Sequence, residues 1–242
     1  TTQSDVKFAV LFRSKKSDSV ETELSNLNIS YFYGMFSDDD SEYVEFHIKC
    51  QEKFLSRFAT IKSITKKSLL AFSETVRKEY TTTDKTIGSL FRLLDALIEK
   101  VSTDYADLST EDKYTLILDI FENRQLKQAM EYVDSNIILT TIHGAKGLEW
   151  DYVIITDMER SCLPAYPICK DCSNIRATFQ NHKCSLPNPL DDRFKEIVLD
   201  ELSVFYVGIT RARQQAYISA SAINANGYSS IVSCLANIAG IK

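Results

Sequence analysis

Short apolar runs that suit buried strands stand near both ends of this chain, and the long stretch between them carries only helical periodicity. Val6-Lys7-Phe8-Ala9-Val10-Leu11-Phe12-Arg13-Ser14 is the first run, closing on a charge. An amphipathic helix is expected over 17–28 (Val20, Leu24 and Leu27, with Ser17 or Asp18 as cap), then a second strand over 29–33 that stops at Gly34. The strand pattern returns at Ile137-Ile138-Leu139-Thr140-Thr141 and at 152–156. A helix follows over 194–207, where Glu201 interrupts the apolar positions Phe194, Ile197, Val198, Leu202, Phe205 and Tyr206, and a last strand lies at 215–220. Strand, helix, strand is the opening of a parallel α/β sheet.

The polar stretch Ser37-Asp38-Asp39-Asp40-Ser41 marks a boundary, and from about 43 to 130 the period is helical. Leu90, Leu93, Leu94, Leu97, Ile98 and Val101 make one stripe. Leu116, Ile117, Ile120 and Phe121 make another behind a Ser109-Thr110 cap, and Phe46, Cys50, Phe54, Leu55 and Phe58 a third. These stripes read as bundle core. The expected organisation is an α/β domain of residues 1–36 and 131–242, interrupted by a helical insertion at 37–130.

Composition agrees. Only 7 glycines and 4 prolines occur in 242 residues, which favours long helices over an all-β fold. A net charge of -5 and a pI near 5.3 exclude a broad basic surface. No apolar run approaches the ~18 residues that span a bilayer, so no membrane association is expected. The chain opens on Thr1-Thr2-Gln3, with no signal-peptide pattern, and the missing initiator Met suggests a piece of a longer protein. Four of the six cysteines fall within 162–184, a local cluster rather than a framework, which points to a reducing, cytoplasmic setting.

Two polar constellations carry chemistry. Thr140-Thr141-Ile142-His143-Gly144-Ala145-Lys146-Gly147-Leu148-Glu149-Trp150 lies between two expected buried strands, where α/β proteins place their sites. Its hydroxyls, imidazole, ammonium, glycines and carboxylate are groups that bind phosphate and ribose. The P-loop pattern Gly-x-x-x-x-Gly-Lys-Ser/Thr occurs nowhere in the chain. Val207-Gly208-Ile209-Thr210-Arg211-Ala212-Arg213 sits between a helix and a strand, where a fixed Arg forks two donors onto a phosphate.

These segments resemble a known family. Residues 141–150 look like motif V of the UvrD/Rep-type superfamily 1 DNA helicases, Tyr206-Val207-Gly208-Ile209-Thr210-Arg211-Ala212 like motif VI, and Phe8-Ala9-Val10-Leu11-Phe12-Arg13-Ser14 like motif IV, in the family's order. The resemblance implies the C-terminal half of a helicase, a second RecA-like motor domain with a reduced helical insertion. It implies that Arg13 and Arg211 reach the γ-phosphate of ATP (bound with Mg2+) as arginine fingers. It places Glu149, Gly147 and Lys146 at the nucleotide, with Lys146 bridging to the DNA site, and Thr141 and His143 on single-stranded DNA. Trp150 and Tyr206 read as core packing. The family's Arg shortly before the motif VI Tyr is replaced here by Leu202 and Ser203. The P-loop and the acidic magnesium box would come from the N-terminal RecA-like half of the same protein, so this fragment alone is expected to hydrolyse no ATP. The His-x-x-Lys-Gly-Leu-Glu form resembles the 3′→5′ branch.

Cys169, Cys172, His182 and Cys184 have spacings in the range of a structural zinc site, with Cys162 able to replace His182; free thiols or a redox pair are the alternative. Cys50 and Cys234 sit in apolar patterns and read as packing residues. The expected function is an ATP-driven DNA motor with repair or recombination partners. The alternatives are a catalytically inactive helicase-like scaffold in a repair or recombination complex, and an RNA-directed motor.

Overall fold

The computed structural model describes residues 6–60, 63–81, 84–159, 162–165, 192–223, 232–233 and 235–236. Five strands form a parallel sheet in the order β2-β3-β1-β4-β5: β1 (Phe8–Phe12), β2 (Phe32–Gly34), β3 (Ile137–Thr141), β4 (Trp150–Ile155) and β5 (Ala212–Ile218). The α/β fold class expected from the sequence is therefore present. The chain divides into two compact units, residues 1–29 with 139–242, and residues 30–138.

In the first unit β1 lies at the centre of the sheet. Ala9, Leu11 and Phe12 are fully buried, which is why its sequence runs apolar without alternation. Ala9 pairs with Val153 and Leu11 with Ile155, while Trp150 pairs with Ala212 and Ile155 with Ile218. β4 thus opens at Trp150, two residues before the expected start, and β5 runs over Ala212–Ile218 rather than 215–220. Edge strand β5 carries Arg213, Gln214 and Gln215 exposed, charge and polarity that discourage edge pairing. Helix α1 (Asp18–Asn26) follows β1, and a long helix spanning Asp192–Ile209 precedes β5. That long helix packs closely on the sheet at Gly208, where a Cβ would come within 3.0 Å of Ile155 Cδ1.

The second unit is built from α2 (Ser41–Phe58), α3 (Lys66–Arg77), α4 (Lys85–Thr103) and α5 (Thr110–Glu122), then a 3-10 turn over Leu126–Tyr132. The long Asp192–Ile209 helix is α6. Ser109 caps α5 as expected, its side chain accepting from Asp112 N–H at 3.1 Å. Helix α3 has its own capping box between Thr65 and Ser68. All six stripe residues of α4 are buried. In α2, Phe46, Cys50, Phe54 and Phe58 are buried but Leu55 is exposed, because it falls off the four-residue spacing that the others keep. Phe54 is the aromatic hub, with ring centroids 4.7 Å from Phe58, 5.6 Å from Phe72, 5.4 Å from Tyr114 and 5.9 Å from Phe121.

One buried polar cluster specifies how the 3-10 turn docks on α2. His47 Nδ1 lies 2.8 Å from Tyr43 O, and its Nε2 accepts from Leu126 N–H at 3.3 Å. Tyr43 Oη donates to Arg124 O at 2.7 Å and accepts from Lys127 N–H at 3.2 Å. An acceptor Nε2 and a donor Nδ1 require a neutral imidazole, and burial holds the His47 pKa below the ordinary value. The unfolded chain takes up a proton near pH ~6.5 that the folded chain accepts only at lower pH. The stabilisation is thus complete above that pH and is lost as pH falls through the folded-state value. Urea midpoints measured from pH 7.5 to 5 should fall more steeply for the wild type than for His47→Gln. Parallel curves would show that His47 contributes no pH dependence.

Candidate functional site at the two ends of the parallel strands

The candidate site lies wholly within the unit of residues 1–29 and 139–242. Because the strands are parallel, their C-terminal ends share one edge. At that edge Arg13 follows β1 and Asp157 follows β4. Asp157 holds a left-handed backbone (φ 62°), and its Oδ2 accepts from the Arg13 N–H at 3.0 Å. Burial raises the Asp157 pKa above the usual carboxylate value, and the bond from Arg13 opposes that rise. The Arg13 guanidinium is engaged side-on by Glu201 of α6, Nη2 to Oε1 at 2.5 Å and Nε to Oε2 at 3.3 Å. Glu201 is only 6% exposed, and its Oε2 also accepts from Ala165 N–H at 2.9 Å.

Arg13, His143, Lys146 and Glu201 line one pocket of about 480 Å³, whose apolar wall includes Ile142, Ile197, Val204 and Val207. His143 and Lys146 are exposed. Thr141 turns inward instead. It is 7% exposed, and its Oγ1 accepts from Gly144 N–H at 2.9 Å, which fixes the turn that presents His143. Gly144 is required by space, since a Cβ there would sit 2.6 Å from Thr140 Oγ1 and 3.2 Å from Thr141 Oγ1.

Residues 142–147 then run as turns, and 148–149 lead to the start of β4, with Gly147 at φ 85°, a conformation that favours glycine. Arg211 stands at this opposite edge, just before β5. Its Nε donates to Val207 O at 3.0 Å, Nη1 to Leu148 O at 3.1 Å and Nη2 to Thr210 Oγ1 at 3.1 Å. The side chain closes the last turn of α6 and ties it to the 142–149 segment. Trp150 N–H donates to Arg211 O at 2.9 Å. Glu149 is exposed and lies 3.5 Å from Arg213, a surface pair of little energetic weight.

The strand register places the main chains of the two expected arginines at different levels. Arg13 lies at the level of Asp157, and Arg211 at the level of Glu149, one position before the Trp150–Ala212 pair. At about 3.3 Å per residue their main chains are roughly 25 Å apart along the strands. Two other expectations divide. Trp150 is core, 1% exposed, whereas Tyr206 is 65% exposed and packs in no core.

The candidate metal ligands Cys169, Cys172, His182 and Cys184 lie outside the described residues, as does Cys234. Cys50 is fully buried, in keeping with a packing role, and burial pushes its thiol pKa well up; Cys162 is exposed. Among the described residues no group of His, Cys, Asp and Glu is placed to hold a metal, and no helix is long and apolar enough to cross a membrane.

The profile of the UvrD-like helicase C-terminal domain matches residues 37–222, well over half of the chain. This chain belongs to the UvrD-like helicase C-terminal domain family. A Mycoplasma pneumoniae (strain ATCC 29342 / M129 / Subtype 1) protein named "Probable DNA helicase II homolog" is 34% identical over 116 residues. That match covers 46% of this chain and 13% of the relative, so this UvrD-like domain corresponds to a small part of that protein's length. Glu201 and Asp157 were not among the expected site residues. Glu201 had left a signal, as the one charge in the apolar stripe of α6. Asp157 had left none, because nothing in its neighbours announces a half-buried strand-end carboxylate.

Proposed function

We propose that this UvrD-like domain is the second motor domain of an ATP-driven DNA helicase or translocase, of 3′→5′ polarity by its His-x-x-Lys-Gly-Leu-Glu sequence. The observation that carries the reading is the 142–149 segment, which connects two differently equipped ends of one sheet. Arg211 and Glu149 stand at one end, Arg13, His143 and Lys146 at the other, and Gly147 lies in the segment that joins them. A motor must couple a nucleotide site to a strand site, and a short, hydrogen-bonded segment joining them is a physical means of doing so.

In this reading the nucleotide end faces ATP. Arg211 uses three of its five N–H donors to fix itself, which leaves two for the γ-phosphate. A guanidinium already held in place stabilises the charge of the transferring phosphoryl without reorganising. Exposed Glu149 accepts from the nucleotide sugar, and glycine at 147 lets the backbone approach. Bound ATP with Mg2+ supplies the phosphoryl transfer that drives movement. The phosphate-binding loop and the magnesium carboxylates come from another domain, since this chain has no P-loop sequence.

At the other end Arg13, His143 and Lys146 face the backbone of single-stranded DNA. Arg13 therefore moves from the nucleotide to the strand in this assignment. A net charge of -5 is compatible with a local grip of this kind, because a narrow track holds a few nucleotides by a few donors.

The test is ATP hydrolysis by the full-length protein with and without single-stranded DNA, beside the 242-residue segment. DNA-stimulated turnover by the full-length protein and none by the segment are expected. Turnover by the isolated segment would overturn the composite site. A full-length protein inactive with every nucleic acid would favour the scaffold reading, and stimulation by RNA alone the RNA motor.

A further inference from the structure

We propose that Glu201 is a positioning residue that holds the Arg13 guanidinium in place to receive a strand phosphate at the pocket it shares with His143 and Lys146. The proposal rests on the reading above that this edge grips single-stranded DNA.

Glu201 is a carboxylate in a helix face that is otherwise apolar, and at 6% exposure it has left water almost completely. Such a group is tolerated only where it is paired and hydrogen-bonded. Its bonds are those described above: Arg13 takes both oxygens, and the Ala165 N–H completes the set. The Arg13 main chain is fixed separately, by Asp157. Both the backbone and the side chain of Arg13 are therefore located before any ligand arrives.

The geometry of the pair matters as much as its charge. Glu201 occupies the Nε–Nη2 side of the guanidinium, and Nη1 has no partner among the described residues. A planar fork held on one side presents its remaining donors in a single direction, so a phosphate meets them without first ordering a long side chain. A lysine at position 13 would bring the same charge but could not be held this way.

Affinity of the full-length protein for a fluorescent single-stranded thymidine oligonucleotide, measured across salt concentrations, tests this. Arg13→Ala should weaken binding about tenfold, the scale of one lost charged hydrogen bond, and lower the salt slope by about one phosphate contact. Arg13→Lys should lose nearly as much. Glu201→Gln should weaken binding to a similar degree, yet change it less than about twofold in an Arg13→Ala background, since a residue acting through Arg13 has nothing left to position. Arg13→Lys leaves Glu201 in place, so the geometric claim stands on a variant that keeps the buried acid. Two results would overturn the role of Glu201 alone: Arg13→Lys binding as tightly as the wild type, or Glu201→Gln weakening binding equally without Arg13. If Arg13→Ala leaves affinity unchanged, Arg13 does not touch the strand, and both its assignment and this proposal are lost. A wild-type protein that binds no single strand would overturn the motor reading as well.

Discussion

Phe54→Ala is expected to destabilise the helical unit of residues 30–138 by about 3–5 kcal/mol, the range for removing a fully buried Phe. The side chain is fully buried, and its ring is the shared neighbour of Phe58 on its own helix, Phe72 of α3, and Tyr114 and Phe121 of α5. It is the ring through which α2 meets the aromatic side chains of both α3 and α5. Truncation leaves a cavity bounded by four rings, and stiff aromatics collapse into such space poorly. The edge-to-face contacts with Phe72 and Phe121 are lost as well, each worth ~0.5–1.5 kcal/mol beyond area burial. Against a typical total of ~5–15 kcal/mol this is a large fraction. Guanidinium unfolding followed by circular dichroism should show a lower midpoint with an unchanged slope. Phe54→Leu, which refills part of the space, should recover a substantial share. A midpoint shift worth less than ~1.5 kcal/mol would mean that the helices close over the gap, and that Phe54 is no hub.

The core of this unit was legible because helical spacing is a local property. Leu90 to Val101 repeat at the right interval, and burial follows from the interval alone. Leu55 broke the rule for the same reason, being one position off the buried face of α2. Helix α3 was not resolved as a separate element, since Leu69, Phe72 and Val76 make a sparse stripe among Lys, Ser and Thr. The polar constellations of the candidate site are legible in the sequence, whereas the level of each residue along the strands is not. Arg13 and Arg211 both end apolar segments and both resemble family arginines, yet one follows a strand and the other precedes one. In a parallel sheet that difference puts them at opposite edges, a consequence that appears only once strand direction and register are known. Thr141 and Tyr206 each show something that local pattern does not carry. The Thr141 hydroxyl accepts from Gly144 N–H, and a ring expected in the core is exposed on α6. Glu201 carries the same lesson in reverse, because a lone acid in an apolar stripe invites dismissal until its cation is found across a sequence gap that no pattern spans.

Arg211→Ala should lower DNA-stimulated ATP turnover of the full-length protein by about a thousandfold or more, the scale of a lost arginine finger in phosphoryl transfer. The loss should fall on kcat, with little change in the nucleotide concentration at half-saturation, because the interaction strengthens as charge develops on the transferring group. Affinity for single-stranded DNA should remain within about twofold, since the Arg211 guanidinium bonds Val207, Leu148 and Thr210 and none of Arg13, His143 and Lys146. Arg211 also has an architectural role: its guanidinium bonds Val207 O, Leu148 O and Thr210 Oγ1, so its removal loosens the junction of α6 with the 142–149 segment. The two roles separate by degree. Three hydrogen bonds at a half-exposed junction contribute a few kcal/mol of stability at most, at about 1 kcal/mol each. That loss lowers the melting temperature without stopping chemistry in the folded fraction. Arg211→Lys separates them further. Lysine keeps a positive charge near the phosphate, but it cannot bond three acceptors and still present two fixed donors. It should therefore retain DNA binding and lose most of the turnover. A variant whose turnover falls less than about tenfold, or only in proportion to the unfolded fraction at the assay temperature, would make Arg211 a strut and require another residue of this domain to supply the finger.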